Sequence, residues 1–165
     1  MSADDQAHAR HDLGLCRVFE AESIGPPGQR FFRLRATAEH GTALIWIEKE
    51  HLSELAHTVK RTLRTSVKPS FPPQPLNPDD FLVDFDCKVV SIALGHDRAS
   101  QRYMLLVQVS EEEDDAIVLW LEADTLDRMA DQALDAHDAG RPRCPLCGAA
   151  DPDVDGRRHV CPRAN

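Results

Sequence analysis

A pattern of fourteen residues that occurs twice constrains the fold of this chain more than any other feature. Residues 43–56 read ALIWIEKEHLSELA and residues 117–130 read IVLWLEADTLDRMA. Trp46 thereby matches Trp120 at an offset of 74. Self-similarity at a fixed offset is the signature of an internal repeat. The sequence therefore predicts a duplicated fold.

The match extends toward the N-terminus, and its offset changes only in polar segments. Residues 29–31 (QRF) align with residues 101–103 (QRY) at an offset of 72, and residues 23–24 (SI) align with residues 91–92 (SI) at an offset of 68. Both changes fall in turn-like segments, where insertions cost little free energy. This placement of the gaps supports a duplication.

Each repeat is predicted to contain three strands followed by a helix. The predicted strands are 17–24, 30–36 and 43–47 in the first unit, and 87–94, 102–109 and 117–121 in the second. After each third strand the apolar period changes from two to about 3.6, which indicates an amphipathic helix. Short turns favour antiparallel pairing. We therefore expect an α+β fold, an internally duplicated β-β-β-α unit with antiparallel sheets and one helix each.

Composition and these patterns divide the chain into five parts. We assign residues 1–16 to a loose leader, 17–65 to the first unit, 66–80 to a proline-rich linker, 81–138 to the second unit and 139–165 to a small zinc-binding tail. The third strands are apolar on both faces, so one face needs a cover besides the helix. The other unit or a second copy of the chain can cover this face, so the sequence is also compatible with a homodimer.

Charge and composition exclude several functions. The formal net charge of −9 opposes nucleic-acid binding, which requires cations to neutralise phosphates. The chain has no run of about 18 apolar residues that predicts a membrane span. Its polar N-terminus lacks the apolar core of a signal peptide. We expect a cytoplasmic protein with reduced cysteines that binds neither nucleic acid nor a membrane.

The tail carries the strongest chemical signal in the sequence. Cys144 and Cys147 form a Cys-x-x-Cys pair closed by glycine, and His159 and Cys161 follow in a short polar segment. Three cysteines and one histidine form a closed tetrahedral set for zinc, without an open position for water. The prediction is a structural zinc ion held by these four residues, with iron–sulfur ligation as the alternative.

The remaining candidate residues carry weaker signals. Cys16 and Cys87 lie at or beside the first strand of each unit and are interpreted as buried, unreactive cysteines. Glu48 and Glu122 occupy matching positions between strand and helix. They favour the positive ends of their helices, or they form a paired-carboxylate site between the units. No nucleophile elbow or phosphate loop is found, so the sequence assigns no catalytic residue and no small cofactor besides the metal.

The chain resembles a bacterial family, domain-of-unknown-function family 3090. The resemblance rests on the Gly-Gln-Arg-Phe strand after a Pro-Gly turn, on the Trp-x-Glu strand end, and on the tail GRPRCPLCG…HVCPRAN. It covers residues 17–165 and implies no established activity. It implies a protein partner, kinase-like or phosphatase-like.

Three functions of different classes follow from these observations. The first is a non-catalytic, zinc-bearing binding or adaptor protein, which fits the acidic charge and the closed metal site. The second is a hydrolase or transferase that uses Glu48 and Glu122 in a groove between the units. The third is a nucleic-acid module built on the tail, which the net charge opposes. We favour the adaptor and lean against an enzyme.

Overall fold

The computed structural model describes residues 10–26, 28–64, 83–112, 115–138, 144–148 and 160–164. The predicted linker 66–80 lies outside these residues, as does most of the predicted tail. The strands are β1 (His11–Ile24), β2 (Phe31–Ala38), β3 (Gly41–Ile47), β4 (Phe85–Lys88), β5 (Ser91–Asp97), β6 (Arg102–Gln108) and β7 (Ala116–Leu121), and the helices are α1 (Lys49–Leu63) and α2 (Ala123–Asp138).

The first strand of each predicted unit differs most from the prediction, while the other four differ by one or two residues at their ends. β1 begins at His11, so residues 11–16, assigned to the leader, belong to a strand. Between His11 and Leu15 the pairing partner is β7, more than 100 residues away, which a local pattern does not reveal. The predicted strand 87–94 is divided between β4 and β5.

The described strands form one sheet in the order β4-β3-β2-β1-β7-β6-β5. Pairing is antiparallel from β1 to β3 and from β5 to β7, as predicted. The β1–β7 and β3–β4 pairs are parallel. The expectation of separate antiparallel sheets with one helix each therefore does not hold. The reason is that β1 and β4 each pair with the third strand of the other half.

Two consecutive residues join the ends of this sheet. The Val89 N–H donates to the Trp46 carbonyl on β3 at 2.9 Å, and the Val90 N–H donates to the Gln108 carbonyl on β6 at 2.8 Å. β4 and β5 stand at opposite ends of the strand order and are separated only by these two residues. The sheet must therefore curl until its ends meet, and we call it the barrel.

Both helices bury one face in a core that the whole barrel shares. The buried helical residues are Leu52, Leu55, Ala56, Val59 and Leu63 in α1, and Ala123, Thr125, Leu126, Met129, Ala130 and Ala133 in α2. The helices also contact each other, with Lys60 Nζ 2.8 Å from Asp127 Oδ1. Among the described residues, no helix is long and apolar enough to cross a membrane.

The two halves of the barrel have matching registers. Phe32 pairs with Ile47 on β3, and Tyr103 pairs with Leu121 on β7, where Ile47 and Leu121 are 74 residues apart. Tyr103 thus takes the position of Phe32. Phe32 and Tyr103 are 7% and 1% exposed, whereas Phe31 is 69% exposed. The predicted offset of 72 is therefore wrong by one residue, a slip that exchanges the two faces of a strand.

The predicted alignment of the first strands of the two units is also wrong. Ser23 pairs with Phe32, and His96 pairs with Tyr103, so Ser23 corresponds to His96 and not to Ser91. The predicted offset of 68 therefore does not hold. A serine–isoleucine pair is too short to fix the register of a strand without its partner strand.

Candidate metal centre and surface cavities

Three cysteine side chains of the C-terminal tail converge. The Sγ atoms of Cys144, Cys147 and Cys161 all lie within 4.8 Å of one another. Each residue is partly buried, and none of the three forms a disulfide bond. A cluster of thiolates at this separation has the geometry to hold one metal ion.

A tight turn positions the first two thiols. The Gly148 N–H donates to the Cys144 carbonyl at 2.8 Å, which closes the turn over residues 145–147. Gly148 has a φ of +75°, in the left-handed region that glycine adopts without steric cost. Glycine after the second cysteine therefore lets the chain fold back beneath the ligands.

Arg163 connects the two segments of the tail that the structure describes. Its backbone N–H donates to the Sγ of Cys161 at 3.4 Å. Its Nη1 donates to the Leu146 carbonyl, also at 3.4 Å. One residue thereby holds the third thiol close to the turn that carries the other two.

The backbone of the turn favours the ionised form of the first thiol. Hydrogen bonds from the N–H groups of Leu146 and Cys147 lower the pKa of Cys144 to about 7. The lowered pKa favours the thiolate, which is the form that binds metals. The predicted fourth ligand, His159, lies outside the described residues and stays a prediction.

The two cysteines of the barrel have the opposite character. Burial raises the pKa of the Cys16 thiol to about 12. Burial, followed by the charges of Asp86 and Asp115, raises the pKa of Cys87 to about 11. Both thiols are protonated at neutral pH, in agreement with their interpretation as unreactive cysteines. Cys16 is buried as predicted, whereas Cys87 is only partly buried.

The structure does not bring the two predicted carboxylates together. Glu48 follows β3 and Glu122 follows β7, and β2 and β1 lie between these strands. Three strand spacings of about 4.8 Å separate the two sites by roughly 14 Å along the sheet. Glu48 instead pairs with Lys88 at 2.8 Å, and this hydrogen bond lowers the pKa of Glu48.

Each tryptophan of the repeat donates a hydrogen bond to an aspartate that the sequence analysis missed. Trp46 Nε1 donates to Asp86 Oδ1 at 2.7 Å, and Trp120 Nε1 donates to Asp12 Oδ2 at 3.3 Å. Asp12 and Asp86 are 74 residues apart, the same offset as the tryptophans. This shared offset was a usable signal, but Asp12 lay in the segment assigned to the leader.

Two surface cavities lie beside these tryptophans, and their linings differ in charge. The cavity beside Trp46, of about 430 Å³, is lined by Arg30, Phe31, Phe32, Trp46, Ile47, Glu48, Lys49 and Lys88. The cavity beside Trp120, of about 520 Å³, is lined by Asp12, Gly14, Leu15, Glu39, His40, Asp97, Ser100, Arg102 and Trp120. Cations predominate in the first and carboxylates in the second.

A third cavity separates α1 from β5. It measures about 300 Å³, and its lining includes Thr58 on α1 and Leu94 on β5. The corresponding place in the other half is bridged, because Gln132 Oε1 on α2 accepts a hydrogen bond from the Ala21 N–H on β1 at 3.1 Å. The two helices are therefore seated differently on matching strands.

Comparison with known proteins identifies a family but no activity. The family model described as "Protein of unknown function (DUF3090)" matches residues 11–161, which is most of the chain. This match confirms the resemblance drawn from the sequence. No curated protein and no solved structure matches the chain.

Proposed function

Since the chain belongs to the DUF3090 family, whose function is unknown, we propose from its own residues that it is a zinc-binding, non-catalytic binding or adaptor protein. The observation that carries this proposal is the convergence of Cys144, Cys147 and Cys161 within 4.8 Å. The proposed site is completed by His159, which precedes Cys161 by two residues.

The donor set favours zinc in a structural role. Thiolates and imidazole suit Zn²⁺, and a set of three cysteines and one histidine is typical of structural zinc sites. Four protein ligands leave no coordination position for water or substrate. The N–H of Arg163 on the Cys161 sulfur offsets part of the negative charge that three thiolates bring. The ion would thus rigidify the tail without taking part in a reaction.

The surface of the tail suits contact with a protein partner. Leu146 and Val160 flank the ligands and are 54% and 88% exposed. Apolar side chains on a loop that a metal holds rigid lose little conformational entropy when a partner covers them. We therefore propose that the tail is the contact surface of the adaptor.

Metal analysis tests the zinc site. We expect one zinc ion per chain, and we expect Cys161→Ser or His159→Ala to lower the zinc content and affinity by at least tenfold. The matched control is Cys87→Ser, which removes a barrel cysteine and should leave the zinc content unchanged. A full-length protein that copurifies with no stoichiometric metal and takes up none when reduced would refute the site.

Removal of residues 139–165 tests the adaptor role. We expect the truncated barrel to remain folded, because its helices and strands form a continuous core. Affinity capture from the native host should then retain a protein partner on the full chain and lose it on the truncated chain. If the truncated chain melts at a much lower temperature, the tail is a structural clasp and the adaptor proposal fails.

We also propose that the barrel arose by duplication of a β-β-β-α unit. Support comes from the matching strand registers, from the helix that follows each antiparallel meander, and from the two tryptophan–aspartate bonds at one offset. Separate expression of residues 11–64 tests whether one unit self-associates into a barrel of two copies. A permanently unfolded fragment would show that the halves no longer substitute for each other.

A further inference from the structure

We propose that the cavity beside Trp46 binds a small phosphorylated molecule that carries a flat ring, of the chemical class of a nucleoside monophosphate. Its volume of about 430 Å³ falls within the range of about 300–1,000 Å³ typical of small-molecule sites. The cavity lies on the barrel, so the proposal is independent of the metal in the tail.

Cations from three separate segments line the cavity. Lys88, the last residue of β4, lies beside β3 and pairs with Glu48 at 2.8 Å, which leaves Arg30 and Lys49 to attract a ligand. The Nε of Arg30 is buried and has no hydrogen-bond partner among the described residues. In a chain with a net charge of −9, such a local excess of cations concentrates anions at one place.

The N-terminus of α1 adds further donors. The helix begins at Lys49, and the side chain of its N-cap residue, Glu48, makes no capping hydrogen bond because it is paired with Lys88. The first-turn N–H groups and the helix dipole favour an anion there. Donors from several elements suit a phosphate group, which carries more oxygens and more charge than a carboxylate.

Aromatic side chains provide a place for a flat ring. Trp46 is held by its hydrogen bond to Asp86, and the guanidinium carbon of Arg33 lies 5.4 Å from the centroid of its ring. Phe31 lines the cavity with 69% of its surface exposed. An exposed aromatic ring beside cations can stack a nucleobase while the phosphate contacts the charges.

The other half of the barrel supplies an internal comparison. At the positions of Arg30, Lys49 and Lys88, the second half carries Gln101, Ala123 and Leu15. The strand order around Trp120 is the same, although β1 shifts register against β7 between Asp12 and Leu15. In its cavity the carboxylates of Asp12, Glu39 and Asp97 outnumber the single arginine, Arg102. The charge beside Trp46 is therefore a property of those side chains and not of the fold.

Fluorescence of Trp46 tests the proposal. The Trp120→Phe variant leaves Trp46 as the sole tryptophan of the full chain. Titration with adenosine or guanosine 5′-monophosphate should change its emission saturably. The affinity should exceed that of adenosine or inorganic phosphate about tenfold, since each lacks half of the contacts. Binding should also weaken as salt rises, because the phosphate is held by charge.

Variants that copy the other half identify the site. The double variant Arg30→Gln with Lys49→Ala should weaken nucleotide binding at least tenfold. The matched control is Arg102→Gln, which removes a cation from the cavity beside Trp120 and should leave the affinity unchanged. Circular dichroism establishes that each variant is folded. If the double variant fails to fold, the salt dependence of nucleotide binding by the Trp120→Phe protein, which keeps both cations, still tests the proposal.

Three outcomes would overturn the proposal. The absence of a saturable change at millimolar nucleotide would exclude the ligand class. Equal affinity for inorganic phosphate would show an anion site without a place for a ring. A loss of binding in Arg102→Gln that equals the loss in the double variant would show general electrostatic attraction.

Discussion

The half of the barrel that carries Trp46 and the half that carries Trp120 share a scaffold but differ at the surface. Ile45 and Leu119, which occupy matching places on β3 and β7, are both fully buried. Around the tryptophans, by contrast, one half presents cations and the other carboxylates. Packing density constrains buried positions, whereas surface positions are free to acquire separate functions.

The two halves also differ in how each helix contacts the sheet. Gln132 on α2 bonds to the backbone of β1, while Thr58, which lies 74 residues earlier, lines an open cavity beside β5. A threonine side chain is shorter than glutamine and does not reach as far. The difference between threonine and glutamine at this one matching position thus accompanies an open groove in one half and a bridged one in the other.

Truncation of matching core residues is expected to have the largest effect. Ile45→Ala and Leu119→Ala should each lower the free energy of unfolding by about 2–5 kcal/mol, through lost burial and the cavity left behind. Because both side chains belong to one cluster, each variant should unfold in a single transition. Urea denaturation followed by circular dichroism measures this. Two separate transitions would contradict the shared core, since the two halves would then unfold independently.

The less buried cysteine of the barrel should react faster. Burial raises the pKa of Cys16 to about 12, whereas burial and the charges of Asp86 and Asp115 raise that of Cys87 to about 11, so Cys87 has the larger thiolate fraction at a given pH. Both alkylation rates should rise with pH, since a raised pKa keeps the thiol protonated at lower pH. Alkylation followed by peptide mass spectrometry measures the rates. Faster labelling of Cys16 would contradict the assigned burial.

Removal of the side-chain bridge in one half should have a moderate effect. Gln132→Ala should lower the free energy of unfolding by about 1 kcal/mol, because the Ala21 N–H loses its acceptor. Thr58→Ala, the matched change on α1, should be close to neutral. Thermal melts measure the difference. Equal losses would indicate that the groove beside β5 is closed in solution.

The two tryptophan–aspartate bonds should differ least. Asp86→Ala removes the acceptor of one exposed hydrogen bond, from Trp46, at a cost of about 0.5–1 kcal/mol or less. Asp12→Ala removes the acceptors of two, from Trp120 at 3.3 Å and from the Gly14 N–H at 2.9 Å, so the somewhat larger loss is expected for Asp12. Chemical denaturation measures the free energy of unfolding of both variants. A larger loss for Asp86 would show that the Trp46 bond outweighs both bonds of Asp12.

Local sequence patterns predicted most elements correctly and failed where pairing was distant. The periodicity of residues 52–63 predicted α1, and the apolar run of residues 43–47 predicted β3, because both signals lie within one element. The start of β1 at His11 was missed, since residues 11–15 are ordered by β7. For the candidate metal site, spacing alone predicted the cysteines, and folding of the tail then brought Cys161 to the other two.

The sequence by itself determined the two meanders, their amphipathic helices and the cysteines of the candidate metal site, because each depends on residues close together in the chain. Only the tertiary structure decided that the strands form one curled sheet, since β1 and β4 find parallel partners in the opposite half. It also decided which side chains surround Trp46, because Arg30, Lys49 and Lys88 come from separate segments. Contacts between distant segments are selected by the free energy of the whole core, which cannot be read from a local sequence pattern.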